Sequence, residues 1–63
     1  MTYTITLPNV TREGAAAVEQ QLRGINEIDY VTIDQSTETA TVTTNLSYGE
    51  VRDLIQQVGV AAN

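Results

Sequence analysis

Apolar residues and threonines alternate strictly over residues 2–7 of the chain. A period of two is typical of a half-buried β-strand, which places one face in a core and the other in water. Pro8 cannot donate to a strand ladder, so it ends this strand. Residues 9–14 are then expected to form a connecting loop.

The first predicted helix follows this loop. Thr11 is suited to be its N-cap, because a threonine hydroxyl can accept a hydrogen bond from a free amide of the first turn. Ala15, Val18 and Leu22 recur at helical spacing and give the helix one apolar face. Gly24 is the expected stop, in the left-handed conformation that glycine adopts beyond a helix.

Two more strands and a hairpin are predicted in the middle of the chain. Residues 27–34 are rich in β-branched and aromatic residues, which favour strands. The polar residues 34–37 that follow are typical of a turn. Residues 39–44 alternate again, with Ala40 and Val42 on one face and threonines on the other.

The second helix has the clearest start signal in the chain. Ser47 and Glu50 have the spacing of a capping box, in which each side chain satisfies a backbone amide of the other residue. The residues that continue the helix as one apolar stripe are Val51, Leu54, Ile55 and Val58. Gly59 is expected to end the helix, and residues 60–63 leave room only for a very short final strand.

The predicted order is therefore βαββα with a possible terminal strand, in a single α+β domain over residues 1–63. Each helix has one apolar face, so both are expected to pack on the same side of an antiparallel sheet. The opposite side of the sheet would carry Thr2, Thr4, Thr6, Thr39, Thr41 and Thr43. Such a face could order water or stack on another surface, but threonine is also a common exposed strand residue.

The charge of the chain limits its partners. A net charge of −5, from eight acidic residues against three arginines, argues against binding to nucleic acid or to anionic membranes. The N-terminus has no basic segment or continuous apolar run, so nothing predicts a signal peptide. We expect a soluble cytoplasmic protein. With no His, Cys or Lys, the usual nucleophile and base pairs are missing, so we expect no enzyme and no catalytic residues.

Three segments of the chain carry a resemblance to a known family: LPNVTREGAAAV at residues 7–18, VTID at residues 31–34 and LIQQVG at residues 54–59. Through them the chain resembles the heavy-metal-associated domain family, which includes copper chaperones and the N-terminal domains of copper-pumping ATPases. It implies a ferredoxin-like βαββα(β) sandwich with two helices on one face of the sheet. It also implies a protein partner, such as a related ATPase or chaperone domain.

In that family the first loop reads Met-x-Cys-x-x-Cys. Laid on this loop, the motif places Val10 at the methionine, Thr11 at the spacer and Arg12 at the first cysteine. Glu13 and Gly14 take the two places between the cysteines. The second cysteine has no counterpart, because the alanines of the helix follow directly. Both thiol ligands of the family are therefore absent from this sequence.

A third family position follows the glycine that closes the second helix and commonly holds Tyr, Lys or His. Here it is Val60. Cu(I) selects thiolate and thioether ligands, and zinc sites need mainly Cys and His. The chain offers one sulfur, in the terminal residue Met1. We therefore expect no metal and no cofactor.

Other charged residues have two interpretations each. Arg12, beside the amides of a helix N-terminus, could bind an anion or be a solvated loop residue next to Glu13. The acids that could be imagined as a hard-cation site are Glu27, Asp29, Asp34 and Glu38. Their spacing does not match a calcium loop, which favours ordinary solvated carboxylates. Ser36 and Ser47 are better explained as turn and cap residues than as nucleophiles.

The leading hypothesis is a metal-free member of this fold that acts as a protein-binding or regulatory module. Its contact face would be the former metal loop, residues 10–14. In one alternative, the protein binds or transports a heavy metal through ligands other than thiolates. In another, the domain is a structural scaffold without a partner.

Overall fold

The computed structural model describes every residue from Met1 to Asn63. Its elements are β1 (Thr2–Thr6), α1 (Arg12–Arg23), β2 (Ile28–Asp34), β3 (Thr39–Thr44) and α2 (Tyr48–Gln57). The predicted order βαββα is confirmed, as are two helices and an antiparallel sheet in a ferredoxin-like arrangement. No helix is long and apolar enough to cross a membrane.

The sheet has three strands in the order β1-β3-β2, and both pairings are antiparallel. Its outer face carries the threonines that the alternation predicted. Three cross-strand rows make up this face: Thr2, Thr43 and Tyr30; Thr4, Thr41 and Thr32; and Thr6, Thr39 and Asp34. The β1 threonines are exposed and those of β3 are half-buried.

The core lies between the sheet and the two helices. Its fully buried large side chains are Ile5, Leu7, Val18, Leu22, Val42, Val51 and Ile55. Thr44 is also fully buried, and its hydroxyl donates to the carbonyl oxygen of Glu27 at 2.6 Å and accepts from the amide of Leu46 at 3.1 Å. No buried side-chain nitrogen or oxygen lacks a hydrogen-bond partner, so this polar residue costs the core little.

A bulge in β2 explains why its sequence does not alternate. Ile28 pairs with Thr44 and Tyr30 pairs with Thr43, so Asp29 is an extra residue on β2. The bulge turns Ile28 into the core and leaves Tyr30 on the outer face, where 59% of it is exposed. The strand begins one residue later than its predicted start.

The two glycines that follow the helices behave differently. Gly59 has φ of +85° and ends α2 in the left-handed conformation, as expected for glycine. Gly24 has φ of −81°, so the prediction of a left-handed residue there was wrong. After α1 the amide of Ile25 donates to the carbonyl oxygen of Leu22, and the amide of Ile28 donates to that of Ile25. Two successive turns thus lead into β2 without a positive φ.

The chain beyond α2 does not form a fourth strand. The amide of Asn63 donates to the carbonyl oxygen of Thr6 at 3.0 Å, which is the one backbone hydrogen bond between this segment and β1. Two side chains of α2 bind the backbone oxygens of this segment. Gln56 Nε2 donates to the carbonyl oxygen of Ala62 at 3.1 Å. The hydroxyl of Tyr48 donates to the backbone oxygen of Asn63.

Candidate functional site

The candidate site lies at the end of the molecule where β1 leads into α1 and where the chain leaves α2. A small cleft of about 130 Å³ marks this end. The residues that line it are Pro8, Asn9, Val10, Thr11, Gly14, Gly59, Val60 and Ala61. Two segments separated by more than forty residues in sequence therefore meet there.

The start of α1 is built by a local hydrogen bond. Thr11 is the N-cap, and its Oγ1 accepts from the amide of Gly14 at 2.9 Å. Asn9 turns the chain into this cap with φ of 58°, a conformation that asparagine tolerates better than most residues. Because the helix begins at Arg12, the prediction of a loop through Gly14 was wrong at its end. Residues 12–14 are the first helical turn.

Gly14 is the point of closest approach between the two segments. A Cβ on this residue would lie 3.2 Å from Thr11 Oγ1 and 3.2 Å from Val60 Cγ2. It would also lie 3.6 Å from Val10 Cγ2. The structure thus brings four of the predicted site residues together and packs Val60 over the first turn of α1.

Arg12 and Glu13 are not part of this cleft. Both are exposed and they make no ion pair with each other. The single ion pair in the structure is Arg23 with Glu19, at 2.6 Å, one turn apart on α1. The guanidinium of Arg12 is therefore available to a binding partner.

Val10 is less accessible than the sequence suggested. We expected it to offer an apolar contact on the surface beside Arg12, but only 9% of it is exposed. It packs inward as part of the apolar core cluster, close to Gly14. The exposed part of the predicted contact face consists of Thr11, Arg12 and Glu13.

The other candidate residues have local structural roles. Asp34 Oδ1 accepts from the hydroxyl of Ser36 at 2.6 Å and from its amide at 3.0 Å, which lowers the pKa of Asp34. Glu38 accepts from the amide of Asn9 at 3.2 Å. The acids considered as a hard-cation site do not meet, since no group of three or more His, Cys, Asp or Glu could hold a metal ion.

This architecture is the ferredoxin-like fold of heavy-metal-associated domains. The copper(I)-loaded first domain of the human copper chaperone for SOD1 is similar, with a TM-score of 0.88 and 23% identity over 97% of this chain and 86% of that one. A copper binding domain from HMA7, a P-type ATPase, has a TM-score of 0.88 and 15% identity, covering 98% and 89%. Oxidized MerP from Ralstonia metallidurans has a TM-score of 0.86 and 18% identity, covering 100% and 93%. No protein-family model matches the sequence, and no curated protein matches it.

The unbroken helix favours a different placement of the lost cysteines. In the family the first large apolar residue of the helix comes four positions after the second cysteine. Val18 comes four positions after Gly14 and is fully buried. Placing the cysteines at Thr11 and Gly14 needs no gap. A one-residue gap inside the helix would rotate everything beyond it by about 100°. The spacing to Val18 is a sequence signal that could have shown this.

Proposed function

We propose that the protein is a metal-free binding or regulatory module that meets a protein partner through the start of α1. The packing of Val60 over Gly14 carries this proposal. Where the family holds a metal ion between loop and helix, this chain has a valine methyl group 3.2 Å from the Cβ position of the helix residue. The polar side-chain atom nearest this Cβ position, Thr11 Oγ1, is committed to capping α1.

The donor atoms do not fit a soft cation. Copper(I) selects sulfur ligands, and the single sulfur of the chain belongs to Met1. Met1 is 80% exposed, and its amino group donates to the carbonyl oxygen of Thr44 at the end of β3. The candidate site lies beyond the opposite end of β3, so Met1 Sδ cannot supply a ligand there.

The exposed surface at this end offers protein-binding chemistry. Arg12 presents an unpaired guanidinium, which binds carboxylates through paired hydrogen bonds. Thr11 and Glu13 flank it as exposed polar residues. Among the similar structures are a domain of a copper chaperone and a domain of a P-type ATPase. A related ATPase or chaperone domain is therefore the proposed class of partner.

Charge reversal at Arg12 tests the contact face. We expect Arg12→Glu to weaken binding of such a domain by about tenfold or more, because like charges brought together at an interface cost several kcal/mol. Arg52→Glu is the matched control, since Arg52 is an exposed arginine on α2 with the same change in charge. Binding is measured by calorimetry and mapped by amide chemical shifts. Equal losses in both variants, or shifts confined to another surface, would contradict the proposal.

The likeness to copper-binding domains also supports a second candidate function, metal binding through ligands other than thiolates. Titration with Cu(I), Zn(II) and Ca(II) under reducing conditions separates the two functions. The module proposed here should show no change in thermal midpoint with any of these ions, since tight binding to the folded state alone would raise it. Submicromolar binding to the monomer would favour the second function.

A further inference from the structure

The outer edge of β1 carries unpaired backbone groups. The amide of Leu7 donates to the carbonyl oxygen of Glu38, and the amide of Thr44 donates to that of Met1. The odd-numbered residues of β1 therefore direct their backbone groups toward β3. In an antiparallel strand the groups of the intervening residues point the other way. Those of Thr2, Thr4 and Thr6 face the open edge.

The chain itself covers only one end of this edge. The carbonyl oxygen of Thr6 is bonded by the amide of Asn63, and the pairing goes no further. The amides and carbonyl oxygens of Thr2 and Thr4 have no partner. They are two donors and two acceptors, spaced as one side of an antiparallel ladder.

The two edges of the sheet differ in how they are protected. The β2 edge has a bulge and the charged residues Asp29 and Asp34, features that block edge pairing in other sheets. From Met1 to Leu7 there is no charged side chain, no bulge and no proline. The β1 edge thus has no charged side chain in a molecule of net charge −5, so two copies can meet there without apposing like-charged side chains.

We propose that this edge pairs with the β1 edge of a second copy of the chain, in an antiparallel sense about a twofold axis. Asn63 selects the register. Placing Thr4 opposite Thr4 of the other copy would require the carbonyl oxygen of Thr6, which Asn63 already occupies. Placing Thr2 opposite Thr4 of the other copy avoids this conflict. It forms four backbone hydrogen bonds and creates one six-stranded sheet.

The side chains beside this edge fit the same arrangement. In this register Tyr3 lies at the twofold axis and faces Tyr3 of the other copy on the helical side of the sheet. Tyr48, whose ring centroid is 5.8 Å from that of Tyr3, is 37% exposed, and Met1 is 80% exposed. Two of the three exposed large hydrophobic residues of the molecule thus flank the edge. A contact between two short strands buries less surface than the about 1,200–2,000 Å² of a stable interface. The dimer is therefore expected to be weak and to depend on protein concentration.

Sedimentation and light scattering over roughly 10 μM to 1 mM test the pairing on the chain from Met1 to Asn63 without a tag, a range suited to weak association. The expected mass rises from 6.8 kDa toward twice that value. Thr4→Lys should keep the protein monomeric, because an edge lysine opposes strand pairing. Thr32→Lys is the matched control: Thr32 lies in the same outer row on the β2 edge and is also exposed, and the substitution changes the net charge equally.

The outcomes are decisive in both directions. Loss of association in Thr4→Lys with retention in Thr32→Lys supports the pairing. A wild-type monomer at 1 mM, or equal effects of the two lysines, overturns it. Thr4→Pro removes an outward amide while leaving the bonds to β3 intact, so it should also be monomeric. If Thr4→Pro folds, as judged by circular dichroism, and still dimerises as the wild type does, the proposed hydrogen bonds do not form.

Discussion

Single residues set the start of each helix through their side-chain hydrogen bonds. Ser47 Oγ accepts from the amide of Glu50 at 3.2 Å, and Glu50 Oε1 accepts from the amide of Ser47 at 3.1 Å. Thr11 performs the same task for α1. Both caps were predicted, because capping depends on residues three positions apart and needs no knowledge of the tertiary fold.

The capping box of α2 makes stability depend on pH. Hydrogen bonds from the backbone and side chain of Ser47 lower the pKa of Glu50 in the folded protein. A carboxyl whose pKa is lower when folded stabilises the fold above its unfolded pKa, and this stabilisation is lost as pH falls through the folded pKa. The free energy of unfolding should therefore decrease between about pH 5 and pH 3. The Asp34 carboxylate, bonded by Ser36, contributes in the same direction.

Urea unfolding at several pH values measures this effect. Glu50→Gln should give a shallower decrease on acidification than the wild type, because it removes the carboxyl that titrates. Ser47→Ala should make the decrease shallower to a smaller extent, because it removes the bond from the hydroxyl but keeps the backbone amide that donates to Glu50. The Asp34 contribution should remain in both variants. An unchanged slope in Glu50→Gln would show that the capping box does not carry the pH dependence.

Among the helices and strands, the features that were predicted correctly are those that depend on the pattern of neighbouring residues in the sequence. The bounds of β3 agree with the prediction, since Ala40 and Val42 alternate with threonines without interruption. The bulge at Asp29 was missed, because it depends on how β2 registers against β3. The depth of Val10 was misjudged for a similar reason: its burial depends on packing with a core assembled from distant parts of the chain. Sequence spacing does not report such contacts.

The geometry at the start of α1 predicts that a metal site can be restored. Thr11→Cys with Gly14→Cys places two thiols at neighbouring positions, since a Cβ at Gly14 would lie 3.2 Å from Thr11 Oγ1. Adding Val60→Ala relieves the 3.2 Å approach of the Val60 methyl group to that Cβ. Under reducing conditions this triple variant should bind Cu(I), a soft cation that selects thiolates.

The matched control carries Arg12→Cys and Ala15→Cys together with Val60→Ala, with the same spacing one position later. Ala15 packs against the core cluster while Arg12 is exposed, so the thiol at position 15 is partly buried and less accessible to a metal ion. Competition with a chromogenic Cu(I) chelator should show about 10–100-fold weaker binding by the control, the range by which ligand orientation changes metal affinity. Equal affinities would mean that positions 11 and 14 are not the counterparts of the family cysteines.

For the whole molecule, the fold class and the layering of helices on one face of the sheet were predictable from amphipathic patterns. The absence of a fourth strand was not predictable in the same way. Residues 60–63 were expected to allow only a very short strand, and the structure pairs them with β1 by one hydrogen bond. Bonds from Gln56 and Tyr48 to this segment join it to α2, and these depend on tertiary contacts.

Lengthening the chain should complete the sheet. Adding Val-Thr-Val-Thr after Asn63 would supply partners for the open groups of Thr4 and Thr2 and would place the two valines on the helical side of the sheet, beside Ile5 and Tyr3. The free energy of unfolding should rise by about 1–2 kcal/mol, since four new hydrogen bonds contribute roughly 1 kcal/mol each and the ordering of the four added residues offsets part of this gain. Concentration-dependent association should disappear at the same time. A Gly-Ser-Gly-Ser extension is the control, and equal thermal midpoints for the two extended proteins would contradict this expectation.

The edge-to-face packing of Tyr3 on Tyr48, at an interplanar angle of 80°, has a practical consequence. The chain contains no Trp and no Phe, and its remaining aromatic residue, Tyr30, is largely solvated. Near-ultraviolet ellipticity should therefore arise mainly from this immobilised ring pair. The near-ultraviolet circular dichroism of unlabelled protein can therefore report conformational changes beside β1.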